Sequence, residues 1–121
     1  MGYTVNGYGE VKLKGKINKK ELRNLLTEIV DEYALEIEYE ISSKEIYIWD
    51  NSTSWYEEDM MELLNALIPY ISSGCIEYRG EDDYIWRYLL VDNKWIEQQG
   101  FIYYTIEDMI KKLKSEGYEV K

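Results

Sequence analysis

Residues 84–91, Tyr-Ile-Trp-Arg-Tyr-Leu-Leu-Val, are apolar or aromatic at every position except Arg87. A run of that length and aromatic content, bounded by turn residues, predicts a central strand with both faces occupied. Tyr84, Trp86, Tyr88 and Leu90 form one face, and Ile85, Arg87 and Leu89 the other. Such a strand needs a neighbour on each side, and the flanking sequence offers both. Residues 74–79 alternate, with Ile76 and Tyr78 opposed to Cys75, Glu77 and Arg79. Gly80-Glu81-Asp82-Asp83 is a polar break, and its glycine can supply the positive φ of a hairpin connection. Asp92-Asn93 reads as a two-residue turn, since both types tolerate left-handed backbone. A third strand then covers residues 94–104. Its register stays open: a tight turn puts Trp95 beside Leu90, but a bulge at Gly100 would reverse the facing beyond it.

The preceding chain reads as elements that pack on this sheet. A first strand occupies residues 5–13, with Val11 and Leu13 inward, and the glycines at 2, 7 and 9 blur its start. Asn18 and Glu21 have the spacing of a capping box. Leu22, Leu25, Leu26, Ile29, Val30 and Tyr33 follow as the apolar stripe of an amphipathic helix. In residues 35–41, Leu35, Ile37, Tyr39 and Ile41 alternate with Glu36, Glu38 and Glu40, giving a half-buried strand. Residues 42–45 turn the chain into a hairpin partner, residues 46–49. Ser54 and Glu57 repeat the capping box before a second stripe of Tyr56, Met60, Leu63, Leu64, Leu67 and Ile68, which Pro69 stops. Thr105 opens a last helix with Ile106, Met109, Ile110 and Leu113 as its stripe and Gly117 as its stop. The expected fold is α+β: one domain over residues 1–121, a single mainly antiparallel sheet of about six strands in the order β-α-β-β-α-β-β-β-α, and two long helices packed on one face.

Chemistry is constrained by what is missing. The chain has no histidine, which removes the commonest general base and the usual zinc ligand. Cys75 is the only cysteine, so no internal disulfide forms and a thiol nucleophile would have no imidazole beside it. Gly7-Tyr8-Gly9 is too short for a dinucleotide fingerprint. Carboxylate pairs could serve as acid and base, but among 24 acidic side chains some pair stands at a suitable distance by chance. Glu81-Asp82-Asp83 offers a hard cation too few convergent oxygens and reads as a solvated hairpin tip. The expectation is a protein that is not an enzyme and takes no cofactor or metal. No apolar run approaches the ~18 residues of a membrane span, and Met1-Gly2-Tyr3 opens no signal-peptide pattern, so a cytoplasmic location is expected.

Three segments carry a resemblance. Gly9-Glu10-Val11-Lys12-Leu13 resembles the Gly-Glu-Ile-Arg-Ile opening of a group of small uncharacterised bacterial and phage proteins. Residues 74–82 with Trp86-Arg87 resemble the Gly-x-Ile-x-x-x-Gly-Glu-Asp…Trp-Arg hairpin of the same group, and Ile102-Tyr103-Tyr104 stands where those chains end on an apolar-aromatic tripeptide. The segment after Thr105 departs from the pattern. The resemblance implies the sheet and no activity.

Net charge is −10 and unevenly placed: residues 28–62 carry twelve acidic side chains against Lys44. Such a surface repels nucleic-acid phosphates and favours a basic protein partner. Thirteen tyrosines against one phenylalanine is an unusual choice for a core, because a buried hydroxyl wants a partner. Tyrosine and tryptophan suit surfaces that are apolar at one end and wet at the other. The candidate partner-binding set is Glu36, Glu38, Glu40, Glu57, Glu58 and Asp59 for the field, with Trp49, Trp55 and Tyr56 as anchors. The expected function is an acidic, non-enzymatic protein-binding domain, an inhibitor of a basic nucleic-acid-binding protein of the kind phages and mobile elements carry. An immunity protein against a basic toxin and a carbohydrate or small-ligand module stacking on tryptophan and tyrosine are the alternatives. Oligomeric state stays open. For Arg87 the two readings are a functional cation and a side chain crossing to Gln98 or Glu77 on the face away from the helices.

Overall fold

The computed structural model describes residues 2–100. Six strands, β1 (Val5–Leu13), β2 (Ile37–Ile41), β3 (Glu45–Asp50), β4 (Ile71–Gly80), β5 (Ile85–Val91) and β6 (Lys94–Gln99), form one antiparallel sheet in the order β2-β3-β1-β4-β5-β6. Helix α1 (Lys19–Glu32) joins β1 to β2, and α2 (Glu57–Leu67) joins β3 to β4. Each connection steps over one strand, so the N-terminal strand lies between a hairpin, β2-β3, and a meander, β4-β5-β6.

Strand alternation decides which side chains meet the helices. Val5, Val11, Ile46, Ile48, Ile76, Tyr78, Trp86 and Tyr88 are buried on the same side as Leu22, Leu26, Ile29, Met60, Leu63, Leu64 and Leu67 of the helices. The inward set on β4 and β5 is the one the alternation predicts. Leu90 stands opposite Trp95, whose indole N–H donates to the Leu64 carbonyl at 2.7 Å. Asp92 and Asn93 take φ of 50° and 62° and make the tight turn between β5 and β6. At the other hairpin the left-handed residue is Asp83, φ 63°, rather than Gly80.

The glycines that blurred the start of β1 lie inside it for a packing reason. Gly7 stands opposite Asp50 of β3 on one side and Tyr78 of β4 on the other. The Tyr78 ring lies across Gly7, where a Cβ would fall 2.5 Å from it. The Tyr78 hydroxyl thereby donates to Asp50 Oδ2 at 2.7 Å, while Ser52 donates to Oδ1 of the same carboxylate. A bulkier residue at position 7 would break this bridge over β1.

The expectation of two long helices is corrected. Among the described residues the helices have 14 and 11 residues and the sheet predominates. The order of elements also differs: a 3-10 turn, Ile68–Tyr70, follows α2, and the helix expected after Thr105, like residues 101–104 of the last strand, lies outside the described residues. Local chemistry limits both helices. Asn18 accepts from the Glu21 amide at 3.1 Å, but the Glu21 carboxylate accepts from the Tyr70 hydroxyl instead of closing the box. The stop of α1 is Ala34 at φ 51°, with Leu35 N–H bonded to Val30 C=O. The second capping box does not form: the Trp55 N–H is held by the Tyr3 carbonyl at 2.9 Å, which delays the start of α2 to Glu57. Pro69 sits in the 3-10 turn that ends it.

Two measurements test the bridge. Gly7→Ala should destabilise the protein by about 1–3 kcal/mol through overpacking, and Tyr78→Phe by about 1–3 kcal/mol by withdrawing a donor from a buried carboxylate, both read by denaturant unfolding. Burial pushes the Asp50 carboxyl above its ordinary value, against the lowering effect of Ser52 and Tyr78. The folded state therefore binds this proton more readily than the unfolded one, and Asp50 costs stability as pH rises through its ordinary value toward its raised folded one. Asp50→Asn should flatten that part of the stability–pH curve.

Candidate functional site

Among the described residues the second face of the sheet carries no helix, and strand register arranges its side chains in rows. One row runs Glu38, Trp49, Tyr8, Glu77, Arg87, Gln98, and the next Glu40, Tyr47, Glu10, Cys75, Leu89, Ile96. The two halves differ in chemistry. Over β2, β3 and β1 the rings of Tyr8 and Trp49 lie 5.9 Å apart, and those of Tyr47 and Trp49 6.4 Å apart at 28°. Exposed Glu10, Glu38 and Glu40 flank these rings, with Glu45 half-buried at the row's end opposite Lys12. Tyr8 donates to Glu10 at 2.8 Å, and this bond, ahead of burial, holds its hydroxyl up at about 12. The Glu45 charge raises Tyr47 in the same direction, so both stay neutral donors.

Over β4, β5 and β6 the face mixes apolar Ile85, Leu89 and Ile96 with Glu77, Arg79, Arg87 and Gln98. Arg87 crosses to Gln98 at 2.6 Å and to Glu77 at 3.9 Å, the second of its two sequence readings. Burial and the Glu77 charge push the Cys75 thiol up, against Arg87, which disfavours a reactive thiolate. A hollow of about 240 Å³ lies between the halves, beside Tyr8, Glu77, Arg79 and Ile85.

The sheet divides the nine residues singled out from the sequence. Glu38, Glu40 and Trp49 stand together on the open face. Glu36 precedes β2 and accepts from the Thr53 N–H and hydroxyl at 3.2 and 2.9 Å, so it ties down the loop after β3. Trp55 packs among the inward aromatics, 5.2 Å from both Tyr78 and Trp86. Tyr56 is 62% exposed beside the start of α2, whose first turn carries Glu57, Glu58 and Asp59. Glu36, Trp55, Tyr56 and Asp59 do meet at a separate hollow of about 210 Å³, beside Tyr33. The division arises because residues 51–56 carry the chain from the sheet to its helix side. The open-face patch also includes Tyr8, Glu10 and Tyr47, which the sequence reading missed. The alternation of Tyr47 and Trp49 with Ile46 and Ile48 was the available signal; placing Tyr8 beside them needed the β1–β3 register.

Among the described residues no group of three or more His, Cys, Asp or Glu side chains is placed to hold a metal ion, and no helix is long and apolar enough to cross a membrane. The chain was compared with protein-family models, curated proteins and solved structures, and nothing matches in any of the three. None of the three comparisons bears on the resemblance of residues 9–13, 74–82 with Trp86-Arg87, and 102–104 to small bacterial and phage proteins.

On the helix side Glu57 accepts from the Tyr88 hydroxyl at 3.1 Å. Burial, then the neighbouring Glu97 carboxyl, raises its carboxyl above the ordinary value. A raised carboxyl costs stability at neutral pH and loses that cost as pH falls through the folded value. Glu97→Gln should accordingly raise the melting temperature at neutral pH and leave it little changed in acid, where Glu57 is protonated.

Proposed function

We propose that this protein is a non-enzymatic binding domain whose acidic-aromatic half-face receives a basic protein. One observation carries the reading: register alone gathers Tyr8, Tyr47 and Trp49 beside Glu10, Glu38 and Glu40 on a sheet face without a helix among the described residues. Carboxylates at that density steer a cationic surface and speed its approach. Half-exposed rings supply desolvated anchors at small entropic cost, the usual makeup of binding hot spots. A surface that presents negative charge over a flat aromatic floor competes for the site where a basic protein holds phosphates. An inhibitor of a nucleic-acid-binding protein, as phages and mobile elements use, fits this chemistry, and an immunity protein against a basic toxin fits it equally. The near-parallel Tyr47 and Trp49 rings favour a second reading, a platform for a sugar.

The two readings differ in salt dependence. Capture of a partner from the native host should weaken at least about tenfold between low and high salt, since exposed charges are screened beyond ~3 Å at 1 M. It should be lost in Glu38→Lys/Glu40→Lys, whose exposed positions leave the fold intact, and in Trp49→Ala. Capture that ignores both salt and charge reversal would sink the basic-partner reading, and competition by a sugar under those conditions would establish the second.

A further inference from the structure

We propose that the hollow beside the start of α2, on the helix side of the sheet, is a binding site for an organic cation, an alkylammonium head group seated against the aromatic lining and beside two carboxylates. The hollow measures about 210 Å³. Trp86, 4% exposed, is its floor. Tyr3, Trp55 and Tyr84 pack on that ring, with centroids 6.2, 5.2 and 5.7 Å away, and Tyr84, 41% exposed, offers its surface to the hollow. Their placement follows from the fold. Tyr84 and Trp86 share the inward side of the β5 chain, and a backbone bond from Trp55 N–H to the Tyr3 carbonyl brings those two residues to the same hollow. Glu57 enters from α2 and Glu97 from β6, and both line the hollow.

Three features select a cation. Aromatic rings attract positive charge within about 6 Å of the ring centre, more strongly where water is excluded. Among the described residues no lysine or arginine lies within ion-pair distance of Glu57 or Glu97, the one ion pair being Arg87–Glu77 on the opposite face. Burial first, with the Glu97 carboxyl adding to it, makes Glu57 hold its proton more tightly; a bound cation would offset both. The positive end of the α2 dipole opposes such a ligand, but it amounts to about half a charge, while Glu57, Glu58 and Asp59 all lie in the first turn. The volume suits a head group, since sites for drug-sized molecules occupy about 300–1,000 Å³. The same chemistry is carried by a free quaternary amine and by a methylated lysine side chain on a protein. This site shares no residue with the open-face patch, so either can fail alone.

The test is a tryptophan-fluorescence titration of the full chain with choline chloride, against equal sodium chloride and against dimethylbutanol, the neutral carbon isostere of choline. Saturable binding of choline without binding of the isostere is the expected result. Tyr84→Ala, at a rim position, and Glu97→Gln should each weaken it about three- to tenfold. A trimethyllysine peptide is compared with its unmethylated form. Tighter binding of the methylated peptide than of choline assigns a protein-borne ligand, and equal binding a free amine. The proposal is overturned if the isostere binds as well as choline, if no saturable change appears, or if neither variant weakens binding.

Discussion

The Tyr78 hydroxyl reaching over Gly7 to Asp50 ties three adjacent strands together at the centre of the sheet. The ring can lie flat there only because position 7 has no side chain. A buried carboxylate is costly without donors, so Asp50 needs Tyr78 and Ser52, and both reach it only in this register. The same ring stacks on Trp86 at 8° and meets Trp55 and Tyr88. One polar contact thus sets the position of the aromatic cluster on which α2 rests.

The abundance of tyrosine has a structural origin as well as a surface one. Tyr88 reaches Glu57 from the sheet to α2, Tyr39 meets Thr27 of α1, and Tyr70 reaches Glu21. Tyr3 donates to Asp82 and Tyr8 to Glu10. Phenylalanine could fill these places but could not bridge elements. A small domain with short helices gains specificity in this way, because each hydroxyl accepts only one relative placement of sheet and helix.

Two surfaces of different character result. The open face offers rings framed by exposed carboxylates, suited to the broad charge of a protein. The helix side offers a small hollow lined by rings and two carboxylates, sized for a single head group. They lie on opposite sides of one sheet, and alternation along the strands is what separates them.

Much of this was legible in the chain. The facing of residues 75–79 and 84–91, the Asp92-Asn93 turn and the inward stripes of both helices follow from periodicity, which is local and depends on backbone geometry alone. Helix length was misread, and so were parts of the caps: Asn18 caps α1 as its spacing predicts, but the Glu21 carboxylate is engaged by Tyr70, that of Glu57 by Tyr88, and the Trp55 N–H by the Tyr3 carbonyl, all distant in sequence. The candidate site was read as one patch because its residues are close in sequence, yet residues 51–56 cross the plane of the sheet and divide it. What the amino-acid order determined by itself was which side of each strand avoids water. Which strands became neighbours, and so which carboxylates joined which rings, was decided by tertiary structure, since pairing joins residues whose separation along the chain leaves no periodic trace.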